Sequence, residues 1–401
     1  MSPVPRGERL VIALIGKRNA GKSSLINALV GQEIAIVSDV AGTTTDPVAK
    51  HYELLPLGPV TFFDTAGVDD TGELGEKRIQ STKKILYRAD IVLFVNPGTA
   101  FGTHELELLE RIREMELPLL MIFNKSDLAQ APQSNIDYCA EHDIDHISVS
   151  CKSMEGILQT KEALIRMAPK YLMEKRVLAG DLVERRDSVI LVCPIDSAAP
   201  KGRLILPQVQ VIRDLLDHDA IPIVVKETEL IPSLEMLKEP PRLVITDSQA
   251  IEQVDRETPQ NVALTTFSIL FARYKGELDT LLDGIRQLDK LQDGDRVLIA
   301  EACSHHVQKD DIGRVKLPRW LSESTGKDLT FEVFAGHDFP ENLEEYALCI
   351  HCGGCMINTM EMNRRILETK RRGVPITNYG LAISKVQGVL ERVIKPLGRT
   401  I

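Results

Sequence analysis

Residues 16–23 read Gly-Lys-Arg-Asn-Ala-Gly-Lys-Ser, which fits the phosphate-binding pattern G-x-x-x-x-G-K-[ST]. An apolar run at residues 10–15 precedes this segment, and residues 22–30 follow with apolar positions at helical spacing. The segment is therefore predicted to lie between a buried strand and a helix, where backbone N–H groups and the helix dipole bind an anion. We expect Lys22 to reach the β- and γ-phosphates of a nucleotide and Ser23 to bind Mg²⁺. This unit predicts an N-terminal P-loop fold.

Four further polar segments follow along the chain, most of them directly after a predicted strand. They read Gly-Thr-Thr-Thr-Asp at 42–46, Asp-Thr-Ala-Gly at 64–67, Asn-Lys-Ser-Asp at 124–127 and Ser-Cys-Lys at 150–152. The carboxylate of Asp127 can accept two N–H bonds from guanine, a pair that adenine cannot donate, so the pattern favours GTP over ATP. Ligands of open α/β sheets bind at the carboxyl ends of strands, so the order and placement of the segments predict a GTPase domain.

Two stretches give this domain its resemblance to the TrmE/Era branch of GTPases, and to TrmE above all. They are Asn-Ala-Gly-Lys-Ser-Ser at 19–24 and Ala-Ile-Val-Ser-Asp-Val-Ala-Gly-Thr-Thr at 35–44. The resemblance implies a K⁺ ion beside the phosphates, where it would neutralise charge in the transition state as an arginine finger does. Its ligands would be Asn19, Ser38, the carbonyl of Val40 and Thr43, with Thr44 on Mg²⁺.

The residue that positions the attacking water is open. Val68 stands where Ras-like enzymes carry a glutamine, and valine cannot orient water. TrmE-like proteins use a glutamate further along, which Glu76 matches without gaps and Glu73 nearly matches; either could instead be a solvated acid at a helix start. We therefore expect K⁺-stimulated hydrolysis with Lys22, Thr44, Gly67 and Glu76 as catalytic residues. The nucleotide and its ions would contact Asn19, Ala20, Gly21, Lys22, Ser23, Ser24, Ser38, Thr43, Thr44, Asp64, Thr65, Ala66, Gly67, Asn124, Lys125, Asp127, Ser150, Cys151 and Lys152.

Composition narrows the class of protein. The chain has 401 residues, a net charge of −10 and seven cysteines. The acidic balance argues against nucleic acid as the main partner. The first residues lack the apolar core of a signal peptide and no apolar run reaches the length of a membrane span, so we expect a cytoplasmic protein without membrane contact. The odd cysteine count does not suggest a disulfide framework.

The remaining chain predicts two smaller α/β units with mostly parallel sheets, which gives three domains at 1–175, 176–266 and 267–401. The middle unit alternates strands and helices without a phosphate loop or metal-ligand spacing, as a spacer or a dimerisation module would. The last unit is expected to begin with one long amphipathic helix at 267–291.

Cysteines and histidines follow two predicted strands of the last unit. Cys303 and His305 come after the strand at 296–301, and His351, Cys352 and Cys355 come after the strand at 346–350. The carboxyl ends of neighbouring parallel strands meet at one sheet edge, so these residues are expected to converge on a soft metal. Zn²⁺ would be satisfied by three cysteines and a histidine. An iron–sulfur cluster would use the three cysteines and leave one iron to a histidine, a carboxylate or an exchangeable ligand. A redox-active Cys-x-x-Cys pair is a further alternative.

The whole chain resembles the HydF family, the GTPases of [FeFe]-hydrogenase maturation. The resemblance rests on the TrmE-like domain, the middle unit without motifs, and Cys-Ser-His at 303–305 followed by His-Cys-Gly-Gly-Cys at 351–355. It implies a homodimer and a [4Fe–4S] cluster in the last domain. It also implies a scaffold that carries a transient diiron subcluster with CO, CN⁻ and dithiolate ligands, receives its parts from two radical-SAM maturases and delivers it to the apo-hydrogenase. The rival functions are a TrmE-like tRNA-modification GTPase and a GTP-dependent assembly factor with a structural zinc.

Overall fold

The computed structural model describes residues 9–31, 48–54, 57–65, 82, 84–169, 176–195, 204–302, 311–336, 339–340 and 342–401. The chain forms two compact units, Met1–Lys175 and Arg176–Ile401. Within the ranges above, no helix combines the length and the apolar character that crossing a membrane requires.

The first unit is built on a six-stranded sheet. Its strands are β1 Leu10–Ile15, β2 Val48–Leu54, β3 Gly58–Asp64, β4 Ile91–Asn96, β5 Leu119–Asn124 and β6 Asp145–Val149. The helices among its described residues are α1 Lys22–Val30, α2 Thr103–Glu114, α3 Gln133–Glu141 and α4 Ile157–Met167. The strand order is β2-β3-β1-β4-β5-β6, with β2 antiparallel to β3 and all other pairs parallel.

Both faces of this sheet are covered, which explains the continuous apolar runs of its central strands. All six residues of β1 and all six of β4 are buried. Alternate residues belong to two separate hydrophobic clusters: Ile12 and Leu14 pack with residues of α1 and α4, while Ala13 and Ile15 pack with residues of α2 and α3. Burial of a leucine or isoleucine side chain contributes roughly 2 kcal/mol to the free energy of folding, so these buried strands give the P-loop a stable support.

The second unit contains two four-stranded sheets, in which every strand pair is parallel. The strands of the first, in the order β10-β9-β7-β8, are β7 Ser188–Val192, β8 Ile221–Val225, β9 Leu243–Thr246 and β10 Ala263–Thr266. The strands of the second, in the order β12-β11-β13-β14, are β11 Arg296–Glu301, β12 Thr330–Ala335, β13 Leu348–His351 and β14 Ile376–Asn378. One hydrophobic cluster extends through both sheets, from Leu178 to Leu397.

The helices of the second unit connect these strands. They are α5 Leu206–Asp217, α6 Leu230–Met236, α7 Ile251–Glu257, α8 Phe267–Lys275, α9 Leu278–Ile285, α10 Leu317–Thr325, α11 Thr359–Arg371, α12 Tyr379–Val386 and α13 Leu390–Ile394. Five residues of π-helix, Ile312–Lys316, lead into α10. A P-loop GTPase sheet followed by two parallel α/β sheets confirms the predicted fold class.

The single long helix predicted at 267–291 is wrong. The chain forms α8, then α9, then a 3₁₀ turn at Arg286–Lys290. The break lies at Gly276, whose backbone is extended with φ −129° and ψ −173°. Glycine has low helix propensity, and the apolar spacing continues across it, so the periodicity alone could not show the interruption.

Candidate functional sites: a phosphate loop and a cysteine loop

The P-loop of the first unit has the backbone that a phosphate cradle requires. Gly16 and Gly21 both have positive φ, 151° and 92°. A Cβ at Gly16 would lie 2.1 Å from the carbonyl oxygen of Val95, and one at Gly21 would lie 2.1 Å from Nδ2 of Asn124. Both motif glycines are therefore required by close backbone approach as well as by conformation. Asn19, the expected K⁺ ligand, is left-handed with φ 59°, which asparagine tolerates better than most residues.

The side chains expected at the phosphates and Mg²⁺ meet at this loop. The Nζ atom of Lys22 donates to the carbonyls of Gly16 and Lys17, each at 2.8 Å, and the side chain is buried. The hydroxyl of Ser23, an expected Mg²⁺ ligand, donates to the carboxylate of Asp64 at the end of β3. This arrangement offers a cation and an oxygen pair at the amino end of α1, as GTP and Mg²⁺ require.

The segments expected at the guanine base are joined to each other and to the P-loop. Nδ2 of Asn124 donates to the Ala20 carbonyl at 2.9 Å, and Oδ1 of Asn124 accepts from the Cys151 thiol at 3.3 Å. The Ser150 hydroxyl donates to Oδ1 of Asp127 at 2.9 Å. The bond from Ser150 orients the Asp127 carboxylate, because it fixes the position of one of the two carboxylate oxygens.

Several expected residues lie outside the described part of the chain. In the first unit these are Ser38, Val40, Thr43, Thr44, Ala66, Gly67 and both candidate glutamates, Glu73 and Glu76. In the second unit they are Cys303 and His305. Their roles stay predictions.

An acidic residue that the sequence analysis missed supports the P-loop. Glu105 of α2 is 1% exposed, and its Oε2 lies 2.6 Å from Nζ of Lys17. Its other oxygen accepts from Asn96 at 3.3 Å, at the end of β4. Glu105 also accepts from the backbone N–H of Gly102, so it caps its own helix. Gly102 has no side chain that could complete a capping box, so the local sequence does not indicate this role of Glu105.

The cysteine loop of the second unit follows β13, which pairs with β11 so that Ala300 lies opposite His351. The Cys352 N–H donates to the Ala300 carbonyl at 2.9 Å, which extends the ladder by one residue. The Cys352 sulfur accepts the backbone N–H of Ala302 at 3.1 Å. Ala302 directly precedes Cys303 in the sequence. The two cysteine-bearing segments therefore follow neighbouring strands. Ala302, at the start of one of them, is hydrogen-bonded to the sulfur of Cys352 in the other.

His351 is fully buried, and both ring nitrogens have protein partners. Nδ1 lies 2.7 Å from the Cys352 carbonyl, and Nε2 lies 3.0 Å from Nη1 of Arg365. A carbonyl only accepts, so we assign the proton to Nδ1 and the accepting lone pair to Nε2. Burial, with the positive charge of Arg365, lowers the pKa of His351 to about 3. The imidazole is therefore neutral and orients the peptide of Cys352.

A lysine that the sequence does not indicate as a site residue contacts the cysteine loop from the protein interior. Lys275, the last residue of α8, is 2% exposed. Its Nζ donates to the carbonyls of Gly354 at 3.1 Å, Ile357 at 2.9 Å and Cys355 at 3.4 Å. It also lies 5.6 Å from the centre of the Phe271 ring. Because its place at a helix end is typical of a solvated cation, the sequence alone does not indicate burial.

The pKa of the Cys355 thiol is raised, because burial outweighs the effect of nearby charge. Burial raises the pKa of Cys355, while Lys275 and the residue's own backbone N–H lower it. Cys349, three positions before Cys352, is buried in the core and its pKa is raised to about 12. Cys349 is thus a packed core thiol, as expected.

Buried polar groups adjoin the end of β11. The Glu301 carboxylate is 2% exposed and accepts from Arg314 at 3.1 Å and from the Tyr379 hydroxyl at 3.4 Å. Burial and the neighbouring Cys352 and Glu301 raise the pKa of Tyr379 well above its ordinary value, so the phenol stays protonated. Among the described residues, no group of three or more His, Cys, Asp or Glu side chains is placed to hold a metal ion.

The fold and these two loops define a P-loop GTPase joined to an α/β unit with a cysteine loop at a strand end. Three family models match the chain: 50S ribosome-binding GTPase at 11–125, Hydrogen maturase F dimerization domain at 178–276 and Hydrogen maturase F tetramerization domain at 279–396. The chain belongs to the HydF family, the GTPases of hydrogenase maturation. The dimerization and tetramerization domains mean that it forms homo-oligomers.

Several proteins of known activity or structure are similar to part of this chain. The tRNA modification GTPase MnmE of Paraburkholderia xenovorans is 36% identical over 162 residues, which is 40% of this chain and 35% of that protein. The MnmE of Prochlorococcus marinus is 45% identical over 120 residues, 30% of this chain and 26% of that protein. The chain thus spans about a third or less of these relatives' length. Among solved structures, the G domain of the T. maritima FeoB iron transporter is 23% identical, with a TM-score of 0.31, covering 40% of this chain and 98% of that one.

Proposed function

We propose that this GTPase is a scaffold that assembles the diiron subcluster of the [FeFe]-hydrogenase active site and delivers it to the apo-hydrogenase, using a C-terminal [4Fe–4S] cluster. The hydrogen bond from the Ala302 N–H to the Cys352 sulfur carries this proposal. It ties the chain that leads into Cys303 to the loop that bears Cys352 and Cys355. Three thiolates at one sheet edge suit iron in a cluster.

The residues described at the cysteine loop fit such a cluster. Two thiols lie in one loop, and a backbone N–H already bonds one of the sulfurs, as is usual for cluster ligands. Cys303, Cys352 and Cys355 would hold the iron, and the fourth ligand would come from His305, a carboxylate or an exchangeable group. When bound, the cluster would supply an iron with an open position for a second cluster. His351 keeps its hydrogen bonds to the protein and positions Cys352 instead of binding iron.

The nucleotide site supports the other half of the proposal. The contacts of Lys22, Ser23 and Asp64 at the P-loop support binding of GTP and Mg²⁺ there, and Asn19 on the same loop would bind K⁺. With Ser38, Val40 and Thr43, it would form the K⁺ site, and Thr44 would complete the Mg²⁺ shell. Glu76, or Glu73 beside it, would position the water. GTP loading would order the switch loops and alter how a partner is held.

Delivery is the direct test of the scaffold role. The chain is produced together with the two radical-SAM maturases, purified without oxygen and mixed with apo-hydrogenase, and H₂ evolution is measured. We expect activation by the wild type, its loss in Cys352→Ser, and its retention in Cys349→Ala, a matched change of a core thiol on β13. Failure of the wild type to activate the hydrogenase would overturn the proposal.

The same preparation tests the rival functions. The likeness to MnmE favours a tRNA-modification GTPase as the second candidate. Copurifying tRNA without hydrogenase activation would support it. Zinc in place of iron would support an assembly factor with a structural zinc.

A further inference from the structure

Lys275 carries its ammonium group in the interior of the second unit, beside the loop that bears Cys352 and Cys355. A buried ammonium loses hydration, so it persists in a protein only where other groups compensate. Here the carbonyls of Gly354, Cys355 and Ile357 converge on its Nζ, and the Phe271 ring lies beside it. An ammonium has three donors and no acceptor, so it suits a set of carbonyls drawn from one loop.

These contacts fix the direction of the loop's peptide groups. In a trans peptide the N–H points opposite to the carbonyl of the preceding residue. With the carbonyls of Gly354 and Cys355 turned toward Lys275, the N–H groups of Cys355 and Met356 point away from it. Lys275 therefore fixes the direction in which the amide donors of this loop point.

The backbone of the loop depends on this anchoring. Gly354 has φ +66°, a left-handed conformation that suits glycine. The turn it forms returns the chain toward Asn358, whose side chain caps α11 by accepting from the Glu361 N–H at 2.8 Å. The segment between β13 and α11 is thus fixed at both ends and, through Lys275, in its middle.

We propose that Lys275 is a positioning residue for the cluster: its ammonium fixes residues 352–358 and places a buried positive charge behind the thiolates. An iron–sulfur cluster with thiolate ligands is anionic and becomes more so when it gains one electron. A nearby cation therefore strengthens its retention and stabilises its reduced form, since hydrogen bonds and net charge set cluster potentials. This inference rests on the proposed function, because it needs a cluster on Cys352 and Cys355.

The test compares the full-length wild type with Lys275→Met, which removes charge and donors, and Lys275→Arg, which keeps the charge. Lys385→Met is the matched control, because Lys385 pairs with Asp289 at 2.8 Å near the surface of the same unit. Three quantities are measured. They are hydrogen exchange of residues 352–358 in the cluster-free protein, the rate of iron loss to a chelator, and the midpoint potential of the cluster titrated with dithionite and followed by electron paramagnetic resonance.

For Lys275→Met we expect faster exchange in the loop, iron loss about tenfold faster and a more negative potential. Lys275→Arg should keep a potential close to the wild type, and Lys385→Met should match the wild type in all three. Equal iron retention and potential in Lys275→Met and the wild type would overturn the proposal. If Lys275→Met does not fold, the potential of Lys275→Arg decides the question. Because arginine keeps the positive charge, a cluster potential in Lys275→Arg well below that of the wild type would overturn the proposal.

The outcome separates this inference from the proposed function. A wild type that holds zinc, or no metal, would contradict the cluster. Hydrogen exchange in the cluster-free protein would still show whether Lys275 fixes residues 352–358. Faster exchange in Lys275→Met would support this role, and exchange at the wild-type rate would contradict it.

Discussion

His351 and Arg365 form a buried pair in which Nη1 of the arginine lies 3.0 Å from Nε2 of the histidine. The same guanidinium donates to the carbonyl of Gly336 at 2.7 Å and to Glu361 at 3.0 Å. Arg365 therefore joins the end of β13, the end of β12 and the first turn of α11. This network sets the orientation of the peptide on which Cys352 stands.

The first prediction concerns the stability of this network. Arg365→Met should destabilise the second unit by about 3 kcal/mol, because it leaves the Glu361 carboxylate, 3% exposed, without its arginine in the interior. Denaturant unfolding of the cluster-free protein measures the change. Arg372→Met, which removes an exposed arginine paired with Glu344 and Glu368, is the control and should cost less than about 1 kcal/mol. Equal effects of the two changes would contradict the network.

The second prediction concerns pH. Burial, with a smaller effect of Asp247, raises the pKa of Cys193 from 9.0 to about 12. The folded state keeps this thiol protonated while the unfolded chain ionises near pH 9, so its contribution to stability is present below pH 9 and is lost as the pH rises toward 12.

Cys193→Ala should remove this dependence. Between pH 9 and 10.5 the wild type should lose about 2 kcal/mol more of its unfolding free energy than the variant. Denaturant titrations at the two pH values measure the difference. Parallel losses in both proteins would show that the thiol does not titrate differently in the two states.

The third prediction concerns potassium. GTP turnover by the wild type should be at least about tenfold faster in KCl than in NaCl, because a fixed cation stabilises the transition state. Asn19→Gly should lose this difference, since glycine accepts the left-handed backbone at φ 59° but supplies no oxygen ligand. Lys161→Ala, on α4, is the control and should keep it. A wild type with equal turnover in both salts would refute the K⁺ site.

The fourth prediction concerns self-association. β8 is an edge strand of its sheet, and its residues Ile221 and Val224 are 51% and 44% exposed. Apolar edge strands pair with further strands, and a lysine at the edge opposes pairing. Val224→Lys should weaken dimerisation at least about tenfold, which sedimentation equilibrium measures. Leu158→Lys, an exposed leucine of the first unit, should not; if Val224→Lys associates as the wild type does, β8 is not the dimer contact.

Much of the fold could be predicted because its central strands carry continuous apolar runs. The apolar run at residues 10–15 predicts β1, and the phosphate-binding motif that follows it locates the nucleotide site. Strands β2 and β12 lack the feature, since they lie at sheet edges and mix polar with apolar residues. A continuous apolar run indicates a strand that is buried on both faces of the sheet. The hydrophobic pattern of a strand is weaker where one face or one edge is exposed to solvent.

The parts of the sites that sequence could not predict depend on long-range contacts. Glu105 and Lys275 belong to helices whose local patterns suggest solvated charges, yet both are buried by partners far along the chain. Likewise, the imidazole of His351 has the residue type of a metal ligand, and only the position of Arg365 shows that both its nitrogens are engaged. Motif spacing identifies which residues meet and leaves their individual roles to the packing around them.

Metal analysis of the protein purified without oxygen decides whether the cysteines of the second unit hold an iron–sulfur cluster. We expect a brown protein with about four iron and four sulfide per chain, both lost in Cys303→Ser, Cys352→Ser and Cys355→Ser but kept in Cys349→Ala. A colourless wild-type protein that contains zinc, or iron that survives all three cysteine changes, would contradict it.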